Sequence, residues 1–127
     1  MSIFVSYAEI DSQQAQPLLA AMHKAKCSIA TRIDAAKCFV AIVTDHYSFS
    51  TLLQEQALQA VTQSVRQQEL KLYIYNPGGK QLPPGFHQFQ EKAAELPIDH
   101  KQAIEKIIAG MREQRAELRN SADESIP

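Results

Sequence analysis

Apolar residues in this chain come in two rhythms. Short unbroken runs alternate with longer stretches in which apolar side chains recur every third or fourth position. The most informative run is Ala36-Lys37-Cys38-Phe39-Val40-Ala41-Ile42-Val43-Thr44-Asp45, where six consecutive apolar residues, Cys38 to Val43, stand between a charge and a polar exit. The run is too short to cross a bilayer. It lacks the alternation of a strand with one wet face, so it predicts a strand buried on both faces. Its β-branched Val40, Ile42 and Val43, with Phe39, favour strand over helix. We therefore expect it to be the central strand of a parallel sheet, with function at its C-terminal exit.

The remaining elements follow in order. Ile3-Phe4-Val5-Ser6-Tyr7 is a first strand that opens into a polar loop. Asp11 and Gln14 have the spacing of a capping box. Ala15, Leu18, Leu19 and Met22 then repeat at helical intervals, predicting a first helix to about Lys26. Pro17 either sits in its opening turn or kinks it; a start near Ser12 with some irregularity before Pro17 is the favoured form. Cys27-Ser28-Ile29-Ala30-Thr31 reads as a weak second strand at an edge. Residues 32–37 leave room for no more than a turn before the central run, whereas crossovers between parallel strands usually take about a dozen residues.

A second helix is expected from about Ser50 to Gln68. Leu53, Ala57, Val61 and Val65 make its buried stripe, and Gln56, Gln59, Gln63 and Gln67 a solvated one beside it. Leu70-Lys71-Leu72-Tyr73-Ile74-Tyr75 is the next strand, stopped by the turn signal Asn76-Pro77-Gly78-Gly79. Residues 80–97 read as a long connection, and Glu95-Leu96-Pro97-Ile98 as a short last edge strand. Asp99 and Gln102 open a final helix. Ala103, Ile104, Ile107, Ile108 and Met111 form its apolar face, and Lys101, Glu105, Lys106, Arg112, Glu113, Arg115 and Glu117 its charged one. It is expected to end before Asn120, with residues 120–127 a flexible tail and residues 1–119 the single domain. This alternation predicts an α/β, three-layer, flavodoxin-like fold: a mostly parallel sheet of four or five strands, order 2-1-3-4-5, with helices on both faces.

Composition narrows the function classes. The 127 residues include 45% hydrophobic and 21% charged, with a net charge of −1. That is an ordinary globular composition, without the basic excess of a nucleic-acid or anionic-membrane binder. Cys27 and Cys38 read as buried free thiols in a reducing cytoplasm, with a disulfide between neighbouring strands as the alternative. His23, His46, His87 and His100 are scattered, without the spacing of a metal site. No signal-peptide pattern opens the chain, so the cytoplasm is the expected compartment. No glycine-rich phosphate loop follows the first strand.

In a sheet of order 2-1-3-4-5 the ligand position is the break between the first and third strands. Their exits hold the candidate binding residues Ser6, Tyr7, Glu9, Asp11, Asp45, Tyr47 and Ser50. The stretch Phe4-Val5-Ser6-Tyr7-Ala8-Glu9-Ile10-Asp11 resembles the opening strand and loop of Toll/interleukin-1 receptor (TIR) domains, commonly Phe-Ile/Val-Ser-Tyr-Ser/Ala-x-x-Asp. The resemblance continues through Phe39-Val40-Ala41-Ile42-Val43-Thr44-Asp45-His46-Tyr47. Leu72-Tyr73-Ile74-Tyr75 and Leu82-Pro83-Pro84-Gly85-Phe86 are similar to the family's fourth strand and proline loop. Two departures stand out. The family's substantial segment between the second and third strands, which serves in self-association and in gating a nucleotide pocket, is reduced here to residues 32–37. TIR enzymes that cleave NAD carry Ser-x-Trp-Cys-x-x-Glu on the helix after the third strand. Aligned on Ser50, this chain has Leu52, Leu53 and Gln56 at the Trp, Cys and Glu.

Glu55, one position away, points nearly opposite the buried stripe at about 100° per residue. Gln56 lies on the flank, where a cleft-lining side chain belongs, yet an amide neither carries charge nor acts as a general base. The resemblance therefore implies homotypic association or recognition of a nucleotide-related ligand. The leading expectation is a binding and assembly module acting by protein–protein contact, self-association among its forms, without catalysis and without a cofactor other than an NAD-related nucleotide as ligand or substrate. A second reading is an NAD glycohydrolase or nucleotide-processing enzyme using Glu55, Asp45 or Glu9. A third is a flavodoxin-like domain without ligand, serving as a subunit of an assembly.

Overall fold

A computed structural model describes residues 2–67 and 70–124; the side chains of residue 67 and of residues 113–124 lie outside that description. Five parallel strands form one sheet in the order β2-β1-β3-β4-β5: β1 (Ser2–Ser6), β2 (Ser28–Ile29), β3 (Cys38–Ile42), β4 (Lys71–Tyr75) and β5 (Ala94–Glu95). The expected order and fold class are present, and every residue of β3 is buried.

The unbroken apolar run of β3 is explained by what covers its two faces. Cys38, Val40 and Ile42 join Ile3, Tyr73 and Tyr75 beneath α1 (Ser12–Lys24) and α4 (His100–Glu124). Phe39, Ala41 and Val43 join Leu72 and Ile74 beneath α2 (Thr51–Gln67) and α3 (His87–Lys92). Successive side chains point to opposite faces, so a strand with helices on both sides must be apolar at every position. Phe39 anchors its layer, stacked on Phe4 at 5.6 Å and edge-on to Phe89 at 5.5 Å.

Several expectations are corrected. The capping box at the start of α1 does not form: Asp11 makes no capping hydrogen bond, because its carboxylate is bound elsewhere. The helix ends at Lys24, and Lys26 turns left-handed with φ 62°. Cys27 N–H then bonds Met22 O and Lys26 N–H bonds His23 O, both at 3.0 Å, closing a Schellman motif without glycine. Val65 is exposed, and Ala60 takes its place in the buried stripe of α2. The glutamine stripe is not uniformly solvated: the Gln63 amide donates to Ile33 O at 3.0 Å.

The connection at residues 30–37 is indeed a single 3-10 turn, Ile33–Ala35, with Ile33 buried against α2. The long connection after β4 contains α3, a six-residue helix held down by Phe86 and Phe89. β5 lies one to three residues earlier than expected. Asp99 caps α4 through the Gln102 N–H at 3.1 Å, as its spacing implies. α4 runs on to Glu124, since residues 111–124 contain neither glycine nor proline to stop it. Residues 125–127, the end of the expected tail, lie outside the described residues. No helix among the described residues is long and apolar enough to cross a membrane.

Candidate functional site

α1 leaves β1 toward one face of the sheet and α2 leaves β3 toward the other, so a gap opens between the two strand exits. The gap is a cleft of about 470 Å³ lined by Tyr7, Ala8, Glu9, Ile10, His46, Phe49, Ser50, Leu52, Leu53 and Gln56. Two other grooves are somewhat larger. One, about 570 Å³, includes Lys71, Lys92 and Lys106 around Tyr73. The other, about 550 Å³, runs along α2 past Asp34, Glu55 and Arg66. Of these three, the cleft at the strand exits is the one at the switch in strand order.

Its inner wall is a hydrogen-bonded relay. Ser6, the last residue of β1, is buried; its hydroxyl donates to Gln56 Oε1 at 2.9 Å and lies 2.9 Å from the Tyr47 hydroxyl. A serine hydroxyl has a single proton, so Tyr47 is the donor in the second bond. Tyr47 itself is fully buried, its ring 5.6 Å from Phe86, and burial pushes its phenol above the ordinary range. Gln56 is thus a fixed member of the wall rather than one more solvated glutamine. Ser50 Oγ accepts from the Leu53 N–H at 3.2 Å and starts α2.

A second cluster locks the loops after β1 and β3 together. Asp11 is buried; its Oδ2 accepts from the Thr44 hydroxyl and from the His46 backbone N–H, both at 2.7 Å, and its Oδ1 lies 2.7 Å from His46 Nδ1. Burial pushes the carboxyl up, but the bonds from Thr44, the His46 amide and the His46 ring outweigh it, holding Asp11 below the ordinary carboxylate range. Gln14 completes the join: its amide donates to Asp45 Oδ2 at 2.9 Å and its carbonyl accepts the Asp45 N–H at 3.3 Å. Both residues of the expected capping box are therefore spent on the β3 exit.

Asp45 reaches a third strand exit through Lys80 Nζ at 2.8 Å. The hydrogen bonds from Lys80 and Gln14 hold its carboxyl low. Lys80 is aimed there by the turn after β4, in which Asn76 bonds both the N–H and C=O of Lys80 and Gly79 takes φ 61°.

Of the candidate residues, Tyr7, Glu9, Ser50 and Gln56 line the cleft; Ser6 and Tyr47 support it from behind. Asp11 and Asp45 are engaged in the loop clusters. Glu55 faces the groove along α2 instead. Beyond the candidate residues the structure adds His46, Thr44, Gln14 and Lys80, whose partners are distant in the chain, and the apolar Ile10, Phe49 and Leu52. Their signal was their place beside two strand exits. Cys27 and Cys38 are both free thiols, and burial pushes Cys38 up. Among the described residues no three His, Cys, Asp or Glu side chains are placed to hold a metal ion. The sequence matches no protein-family model and no curated protein sequence.

Proposed function

We propose that the chain is a small TIR-like association module that binds protein partners, a second copy of itself among them, without cleaving NAD. One observation carries this reading: Ile10, Phe49 and Leu52 are 77%, 83% and 63% exposed, and all three line the cleft at the strand exits. Large apolar side chains gathered at one exposed place mark interaction surfaces, whereas scattered ones do not. The chemistry behind the patch points the same way. Where the TIR resemblance puts the NAD-cleaving glutamate, the Gln56 amide is bonded to Ser6. Asp11 and Asp45 are occupied by loop contacts, and Glu9 is an exposed rim carboxylate.

Light scattering over a concentration series tests the reading. The mass of the wild type is expected to rise with concentration, and that of the Phe49→Ser/Leu52→Ser variant to stay monomeric with an unchanged melting temperature. A wild type that remains monomeric at every concentration overturns self-association.

A further inference from the structure

We infer that His46, oriented by Asp11, is a general base facing the cleft, suited to hydrolysis of a neutral acyl ester with an apolar body. This goes beyond the association reading and does not rest on it.

The tautomer follows from the contacts. An ionised carboxylate only accepts hydrogen bonds, and Asp11 Oδ1 lies 2.7 Å from Nδ1, so Nδ1 carries a proton. In the neutral ring Nε2 then holds the lone pair. It has no partner among the described residues, the His46 side chain is 55% exposed, and the ring lines the cleft. Asp11 is itself fixed by Thr44 and by the His46 backbone, so the ring is held by a carboxylate that cannot swing away. A buried acid that sets the tautomer of an exposed imidazole is the arrangement by which histidine is kept ready to take a proton. His87 makes the contrast: it also meets a carboxylate, Glu91 at 2.9 Å, but through Nε2 and away from the cleft.

The surroundings define the substrate class. Ile10, Phe49 and Leu52 offer an apolar bed. The Gln56 carbonyl is taken by Ser6 and the residue lines the cleft, so its amide N–H groups are assigned to the substrate's carbonyl oxygen. Among the described residues Glu9 is the one carboxylate in the lining, and no lysine or arginine is there, so a phosphate or carboxylate substrate is disfavoured. In the reaction, water oxygen forms a bond to the acyl carbon while its proton passes to Nε2. Charge gathering on the carbonyl oxygen is met by the Gln56 amide. Collapse breaks the bond to the alkoxy oxygen, and the imidazolium returns its proton to that leaving group, giving acid and alcohol. Asp11 acts as a positioning residue.

The test uses the full chain with p-nitrophenyl butyrate as probe. Saturable hydrolysis is expected, with kcat/KM lowered about 100-fold or more by His46→Gln and unchanged by His87→Gln. ¹⁵N NMR of the wild type should show His46 with the proton on Nδ1. Asp11→Asn, with its fold verified by circular dichroism, should lower kcat and change that spectrum. A His46→Gln variant as active as wild type, or equal losses in His46→Gln and His87→Gln, overturns the proposal. A neutral His46 protonated on Nε2 does so too. Light scattering on the same samples reports association separately.

Discussion

The Asp11 carboxylate accepts the backbone N–H of His46 at 2.7 Å across 35 positions of sequence, tying the loop after β1 to the loop after β3. The bond makes stability depend on pH, and its sign is fixed. Asp11 lies below its ordinary value of 3.8 in the folded chain, so the folded state favours the ionised form. Its contribution is fully present above the unfolded value and is lost as pH falls through the folded one. Melting temperature should therefore drop below about pH 4, and Asp11→Asn should lower it at neutral pH while flattening that acid limb. Thermal melts from neutral to strongly acid pH check this. Parallel curves for variant and wild type would remove Asp11 from the account. Asp45→Asn is the control: that carboxylate is also held low but is exposed, so solvent screens its pairing and the change should be smaller.

A different outcome is expected at Gln56, where charge and hydrogen bonding separate. Ser6 is buried and its single hydroxyl proton goes to Gln56 Oε1. Gln56→Leu removes the acceptor and leaves a buried hydroxyl proton without a partner, a loss of about 1–3 kcal/mol. Gln56→Glu keeps an oxygen in place and should melt close to wild type. On incubation with NAD, wild type should release no nicotinamide. Release by the wild type would overturn the non-cleaving reading, and release only by Gln56→Glu would show that the cleft lacks nothing but the carboxylate.

The centre of the sheet was legible because burial on both faces leaves a mark on every residue: Cys38 to Val43 are apolar without exception, and their β-branched members favour strand over a buried helix. The apolar face of α4 was equally plain in Ala103, Ile104, Ile107 and Met111. The site was legible in place but not in wiring. Asp11 and Gln14 carry the spacing of a capping box, and that local pattern says nothing of the Thr44 hydroxyl or the Asp45 amide that take their side chains instead. Polar residues beside a helix start have local and distant partners available, and the fold decides between them. α3 was hidden for another reason. Its six residues hold one apolar contact, Phe89, too few for a period to show. Lys26 ends α1 in a conformation usually taken by glycine, so the usual stop signal was absent.

Gly110 supplies a prediction that runs against helix propensity. It lies within α4, where alanine is favoured over glycine by about 1 kcal/mol. A Cβ at this position, however, would overlap the Tyr73 hydroxyl and lie 3.3 Å from Tyr73 Cζ. Tyr73 is a buried residue of β4 in the layer beneath α4, so its ring would have to shift out of that packing to admit the Cβ. Overpacking of this kind costs about 1–3 kcal/mol, enough to reverse the propensity gain. Gly110→Ala should therefore lower the urea midpoint. Tyr73→Phe removes the obstructing oxygen, and in that background Gly110→Ala should cost far less or stabilise. The pair must then be non-additive in a double-mutant cycle. Additive effects would mean that α4 and β4 do not approach at these two residues.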